Sequence, residues 1–409
     1  MTTPRDTTAD AQPRFRLERG WVVHVVIFFA VVAGFLAIST AIYLTRSDFR
    51  GERAFRFDAM GNDDLLMGFT LTRRQYGTLQ LGYVEVAPPP RVGIFGNHQV
   101  QHFPAEALGW RATDRQYFNY WFENLALPDL RDYLHYLAAI DRLPRELVMV
   151  GITSPNNDNG LHIASPSREL PTYIKIWNLT HREGTFAQRA REFARWAKEL
   201  VSGIHDYQVI LTAIMGGAHL KVINPKRDCE TSVPRPAGVV VRWLRDLLPE
   251  TLLRQFGLID ASHYCRMDTR SFGMRADGSV VRRHDYRLTL NDVPFNPERR
   301  GLAAGDDERI ASLLVDIFDL IETRNNRQLV FLIPPCYETA DRHDSIVNQI
   351  FSKGVALAKA ARPGLKVIDH RHLNASHLGE RFFYEFDHPA PEYFAEVVAP
   401  ELRRLVRTP

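Results

Sequence analysis

The longest apolar run in the chain lies near its start, where Trp21 to Leu44 reads WVVHVVIFFAVVAGFLAISTAIYL, 24 residues without an acidic residue, lysine or arginine. As a helix rising about 1.5 Å per residue it measures about 36 Å, enough to cross a hydrocarbon core of about 30 Å. It ends in Tyr43-Leu44-Thr45-Arg46, with no small-residue cleavage site, which predicts an uncleaved anchor. His24, near one end of the run, falls at the level of the membrane interface. No second stretch of membrane length follows.

Beyond the anchor the pattern changes to short apolar runs alternating with helical spacing. Runs of strand length occur at RVGIFG (91–96), ELVMVGIT (146–153), QLVFLIPP (328–335) and LKVIDH (365–370). Being continuous rather than alternating, they suit strands buried on both faces of a parallel sheet. Between and after them, DLRDYLHYLAAIDRL (129–143), DERIASLLVDIFDLIETR (307–324) and PEYFAEVVAPELRRLV (391–406) carry helical periodicity. Strand alternating with helix predicts an α/β fold, a three-layer α/β/α arrangement around a parallel sheet.

Two stretches depart from that rhythm. Residues 45–88 read as a connector ending in the stiff Ala-Pro-Pro-Pro-Arg. Residues 161–305 read as an inserted, mainly helical cap, with amphipathic stretches at FAQRAREFARWAKELV and VVVRWLRDLL and a hairpin turn around Ala276-Asp277-Gly278-Ser279. The expected organisation is therefore a short N-terminus (1–20), the anchor (21–44), the connector (45–88), the first part of the α/β domain (89–160), the cap (161–305) and the second part (306–409).

Composition narrows the chemistry. With 51 basic and 48 acidic side chains scattered along the chain, the net charge of +3 leaves no electrostatic footprint for nucleic acid. Cys229, Cys265 and Cys336 are too few and too far apart for a thiolate metal cluster. Cys229 with Cys265 is the pair to test for a bridge, and Cys336, closing a strand-like run, reads as a small buried thiol. Nothing in the sequence calls for a cofactor.

In open parallel sheets ligands bind beyond the carboxyl ends of the strands. Three polar clusters fall at such places: Gly96-Asn97-His98-Gln99-Val100-Gln101-His102, Thr153-Ser154-Pro155-Asn156-Asn157-Asp158-Asn159-Gly160, and Phe383-Tyr384-Glu385-Phe386-Asp387-His388-Pro389. Each has a plain structural reading as well. Asn97 can cap the turn after the first strand, 154–160 is rich in turn formers, and 385–389 can be the entry to the last helix.

Taken in order, the clusters resemble the SGNH (GDS-type) hydrolase and acyltransferase superfamily, whose sheet is flavodoxin-like. The layout looks most like its membrane-anchored members that serve surface-polymer O-acetylation and D-alanyl transfer. YFNYWFENL (117–125) resembles the asparagine-containing loop of those proteins. The resemblance implies His388 as the base and Glu385 as its acid partner, with Asp387 adjacent. It implies Gly96, Asn97, Asn119 and Asn156 or Asn157 as oxyanion or substrate contacts. His98 stands where the nucleophilic serine belongs, and Ser154, followed by proline and lacking a glycine elbow, is a poor substitute.

That replacement leaves three alternatives open. The site is degenerate and binds a ligand or partner; or His98 acts itself, as nucleophile or as a base on water; or His98 and His102, with Asp387 and His388, bind a divalent metal. The resemblance also implies O-acylation or deacylation of cell-surface glycans, a glycan or acyl-donor substrate, and a multi-pass membrane acyltransferase as partner. The competing class is a non-enzymatic binding or scaffold subunit of a membrane complex. Arg5, Arg14, Arg16 and Arg19 before the anchor balance Arg46, Arg50, Arg53 and Arg56 after it, so charge gives no orientation. The resemblance places the N-terminus in the cytoplasm and the large domain outside the inner membrane.

Overall fold

The computed structural model describes residues 55–68, 73–123, 125–152, 220–225, 272–282, 305–337, 346–385 and 388–405, together with 23–31, 33–34 and a few isolated positions. The chain divides into two compact units, Met1–Arg46 and Ser47–Pro409. In the first, residues 23–31 and 33–34 are helical. Val23, Val26, Ile27, Phe28, Phe29 and Val31 lie exposed along this helix. Among the described residues no helix is long and apolar enough to cross a membrane, and the rest of 21–44 lies outside them.

The second unit is built on a parallel sheet of five strands, β2 (Val92–Gly96), β3 (Tyr117–Trp121), β4 (Leu147–Gly151), β8 (Gln328–Ile333) and β9 (Lys366–Asp369), in the order β3-β2-β4-β8-β9. Four of these are the four continuous apolar runs. β2, β3 and β4 are buried throughout and β8 nearly so, because helices cover both sides, whereas β9, at the edge, is only partly buried. Burying a side chain such as Phe95 or Phe331 contributes about 1.5–3 kcal/mol each.

The helices are α1 (Arg73–Val86), α2 (Leu127–Ala139), α3 (Asp306–Phe318) and α4 (Ile346–Ala361). A C-terminal helical run follows from Pro391 to Leu405. Proline in the first turn starts both α2 and the C-terminal run, where the missing amide hydrogen costs nothing. α3 continues into wider turns at Asp319–Arg324, which completes the helical pattern expected over 307–324.

The chain steps from β2 to β3 in one direction, then from β3 to β4, β8 and β9 in the other. Right-handed crossovers therefore put the 97–116 segment on the opposite face from α2, α3 and α4. Contacts agree: α3 packs on both α2 and α4, whereas the 105–108 turn packs on the C-terminal run. Phe95 stacks on Tyr120 at 4.2 Å and meets Tyr133 of α2, while Phe103 stacks on Phe394 at 4.8 Å on the other side.

Two expectations are corrected and a third is extended. The 45–88 connector contributes β1 (Leu65–Gly68) and α1, so only Ala87–Pro90 acts as a link. YFNYWFENL is not a loop at its start: Tyr117–Trp121 is β3, an edge strand of the main sheet. The inserted region contributes strands as well: beside helical positions such as Ile174, Trp177, Asn178 and His181, it adds three strands to a second sheet. β5 (Leu220–Ile223), β6 (Phe272–Met274) and β7 (Val280–Arg282) join β1 in an antiparallel sheet ordered β5-β1-β6-β7. Apart from Ala190, which is helical, the two amphipathic stretches of that region lie outside the described residues.

The turn foreseen at Ala276–Ser279 does join β6 to β7. Gly278 takes a positive φ of 77° there, and a Cβ on it would stand 2.6 Å from the carbonyl oxygen of Asn119. Glycine lets the hairpin tip press onto the open edge of β3. The amide of Asn119 donates to the Asp277 carbonyl at 2.8 Å, the Trp121 indole to the Gly278 carbonyl at 3.0 Å, and the Gln80 amide to the same carbonyl at 2.8 Å. An edge that would otherwise offer unpaired groups to another chain is covered.

Candidate functional site

The sheet order reverses direction between β2 and β4, and the carboxyl end of β2 is where His98 emerges. Gly96 and Gly151 end the two strands side by side, and together they make a notch for Val100. A Cβ on Gly96 would stand 2.7 Å from Val100 Cγ2 and 2.9 Å from the Gly151 carbonyl oxygen. Gly96 thus serves close packing, which lets the chain turn sharply after β2.

Asn97 caps that turn, as its type and position suggested. Its side-chain oxygen accepts the amide of Gln99 at 3.0 Å, and the Val100 amide donates to its carbonyl at 3.1 Å. The His98 amide and ring both donate to the carbonyl of Glu123, at 3.1 Å and, from Nδ1, at 2.6 Å. A carbonyl can only accept, so Nδ1 carries a hydrogen and, in the neutral ring, Nε2 carries the lone pair. The amides of 98, 99 and 100 are all engaged within the fold.

His388 arrives from the far end of the chain. It opens β11 (His388–Pro389), which pairs with β10 (Phe383–Glu385), Glu385 standing opposite His388 in the ladder. The ring centroids of His98 and His388 are 4.9 Å apart, tilted by 43°, with His388 buried and His98 partly exposed. Two residues 290 positions apart in sequence therefore meet above the strand ends. The side chain of Glu385, and Asp387, Asn156 and Asn157 entirely, lie outside the described residues.

His102 takes a different part from the metal ligand considered above. It is wholly buried; its Nδ1 donates to the Val280 carbonyl at 2.8 Å and its Nε2 accepts from the Gln101 amide at 3.1 Å. Both nitrogens are used in one neutral tautomer, so His102 locks the hairpin to the loop instead of ligating a metal. Among the described residues no group of three metal-ligating side chains forms.

Asn119 is corrected too. Fully buried in β3, it donates its amide to the carbonyls of Val100 at 2.8 Å and Phe103 at 3.2 Å. It braces the loop from beneath and offers no hydrogen to an oxyanion. Cys336, after β8, is a buried free thiol with the Gln99 amide 3.9 Å from its sulfur. Cys229 and Cys265 lie outside the described residues.

Sequence reasoning missed the neighbours that complete this layer. Tyr384 sits with its ring 4.8 Å from His102, and Asp277 holds the hairpin down. Asp277 is wholly buried and accepts from the Ala105 amide at 2.7 Å, the Ser279 amide at 3.0 Å and the Ser279 hydroxyl at 2.6 Å. Burial raises its carboxyl above the ordinary value, against the pull of Arg275 and these donors. The only sequence signal was the Asp-Gly turn, which reveals a hairpin but not what it docks against.

At β9's carboxyl end a second buried network ties the C-terminal run to the sheet. The Tyr393 hydroxyl donates to His370 Nδ1 at 2.8 Å, and His370 Nε2 donates to Glu401 at 2.8 Å. Burial lowers the His370 pKa even though Glu401 pulls it up, which keeps the ring neutral and fits that single tautomer.

No family model matches the chain, and neither a curated protein nor a solved structure matches it.

Proposed function

We propose that this chain is a membrane-anchored, envelope-facing SGNH-like protein that acts in the O-acylation or deacylation of cell-surface glycans through an altered site built on His98 and His388. The observation that carries the reading is the pair of imidazoles 4.9 Å apart at the carboxyl end of the first sheet strand, where the serine and base of that superfamily belong. The strand order, second-first-third-fourth-fifth when the sheet is counted alone, is the flavodoxin-like order that the resemblance implies. Exposed apolar side chains along the helical residues 23–31 support the anchor.

With its hydrogen held by Glu123, His98 presents Nε2 as the basic atom. In the catalytic form of this reading, Nε2 takes a proton from water while the water oxygen adds to the ester carbonyl. Collapse then releases the glycan alcohol with that proton, leaving the free acid. The test is acetate release from an aryl acetate by the full-length protein, beside His98→Ala and His388→Ala. A loss of at least about tenfold in both variants supports it, and equal rates in all three remove it. A gain of esterase activity in His98→Ser shows that the remaining machinery is intact.

A second reading, a binding or scaffold subunit of a membrane complex, rests on a separate observation. Asn119 and the amides of 98–100 are engaged in holding the loop, so none of these donors is aimed at an oxyanion position. Glycan binding that survives in His98→Ala, without turnover in the wild type, favours this second reading.

A further inference from the structure

Activation of water needs one imidazole, and this site brings two into contact. The rings of His98 and His388 lie 4.9 Å apart between centroids, His98 partly exposed and His388 buried beside it. One imidazole can make a bond while the other moves a proton.

How His98 is held decides which of these it does. Its Nδ1 donates to the Glu123 main-chain carbonyl at 2.6 Å, and its own amide donates to the same oxygen at 3.1 Å. Two bonds to one oxygen fix the ring against its backbone, so in the neutral ring the Nε2 lone pair has a set direction. A carboxylate in that place would stabilise the positive ring that a base becomes, as in a serine–histidine–aspartate triad. A neutral carbonyl oxygen stabilises it less, which suits a ring whose lone pair goes to carbon.

The loop beneath is equally fixed. Asn97 caps it, Asn119 donates to the Val100 and Phe103 carbonyls, and Gln101 and His102 tie it to Val280. A nucleophile held this way has little freedom left to lose when a carbonyl carbon approaches. The same bonds occupy the hydrogens of Asn119 and of the amides of 98–100, so these donors give no help to a developing oxyanion. That restricts the acyl donor to one with a weakly basic leaving group, such as a phenolate, which departs without prior protonation.

We infer that His98 and His388 form a covalent acyl-transfer pair: His98 carries the acyl group of an activated donor to a hydroxyl, and His388 takes that hydroxyl's proton. Nε2 adds to the acyl carbon, and the bond from that carbon to the leaving group breaks. The leaving group departs with the electron pair, and the N-acyl imidazolium keeps its Nδ1 hydrogen bonded to the Glu123 carbonyl. The hydroxyl oxygen then adds to the acyl carbon as His388 takes its proton, the carbon–nitrogen bond breaks, and its electron pair returns to Nε2. His388 passes the proton to the departed leaving group. This rests on the reading of the site as one that handles acyl groups, and adds transfer to the hydrolysis described there.

The experiment mixes para-nitrophenyl acetate with the full-length protein in detergent, follows nitrophenolate by stopped flow, and maps acetyl groups by mass spectrometry after rapid quenching. The expected result is a burst of about one nitrophenolate per chain, with an acetyl group on His98. In His388→Gln the burst remains and the acetylated form lasts about tenfold longer or more. His98→Gln shows neither, and acetylated lysines, common to all variants, are the control. Methyl glucoside added as hydroxyl acceptor is acetylated by the wild type, whereas acetate as the sole product overturns the transfer step. His98-dependent acetate release with no acetyl group on His98 in either wild type or His388→Gln overturns the inference and leaves the hydrolytic reading standing. An acetylated His98 whose lifetime is unchanged in His388→Gln overturns it as well. Absence of both release and acetylated His98 removes the inference and the catalytic reading together. Should His388→Gln fail to fold, the wild-type burst, the site of acetylation and the glucoside product carry the test.

Discussion

His102 gives its Nδ1 hydrogen to the carbonyl of Val280, 178 positions further along the chain, and in return the amide of Val280 donates to the carbonyl of Gln101 at 2.8 Å. This two-way link joins the loop that presents His98 to a hairpin from the inserted region. Whatever His98 does, its loop is held by residues far from it in sequence.

Removing that link should loosen the site without touching it. Val280→Pro deletes the amide that Gln101 accepts from, an expected loss of about 1–3 kcal/mol of stability. Chemical denaturation measures the loss. Hydrogen exchange should show faster exchange at 98–105 than in the sheet strands, and unchanged exchange there would mean that the hairpin does not brace the loop.

Gly151 should tolerate no side chain while Val100 is present. Every close neighbour of a Cβ at 151 is a Val100 side-chain atom. Gly151→Ala is expected to cost about 1–3 kcal/mol through overpacking. Adding Val100→Ala should restore part of it, since the two side chains compete for one space. Strict additivity in the double-mutant cycle would contradict the notch.

Asn119 should behave as a structural donor. Asn119→Asp keeps the shape but replaces the two donated hydrogens with an acceptor facing the Val100 and Phe103 carbonyls. A fall of about 1–3 kcal/mol or more is expected, larger than for Asn119→Ala, because alanine adds no repulsion. Unfolding curves of the two variants rank them, and the reverse order would reject this role.

Acid should destabilise the domain through His370. Burial holds this ring below its ordinary value of 6.5 despite Glu401, so below that pH the unfolded chain binds a proton that the folded one refuses. The stabilising contribution is complete above about 6.5 and is lost as pH falls below it toward the depressed native value. His370→Gln should flatten that part of the melting-temperature profile. Parallel profiles for variant and wild type would show that His370 does not titrate in this way.

The hydrophobic pattern alone carried the core of the fold. Four apolar runs became β2, β4, β8 and β9; in the first three the reason is that a strand buried on both faces has few polar positions to interrupt it. The Asp-Gly turn and the Asn97 cap were equally legible, since both rest on interactions within a few residues. β3 escaped because it is short, aromatic and polar at Asn119, and its outer edge is satisfied by a hairpin some 158 residues away. α1 escaped because much of its sequence is polar and its partner Phe122 lies well beyond it.

For the site, the sequence determined which residue types follow which strands, and so placed His98 and His388 as candidates. Only the tertiary structure decided that these two meet, and that His102 and Asn119 instead spend their hydrogens on main-chain oxygens. The reason is physical: periodicity records which side of an element is buried, but the partner that uses up a donor comes from anywhere in the chain.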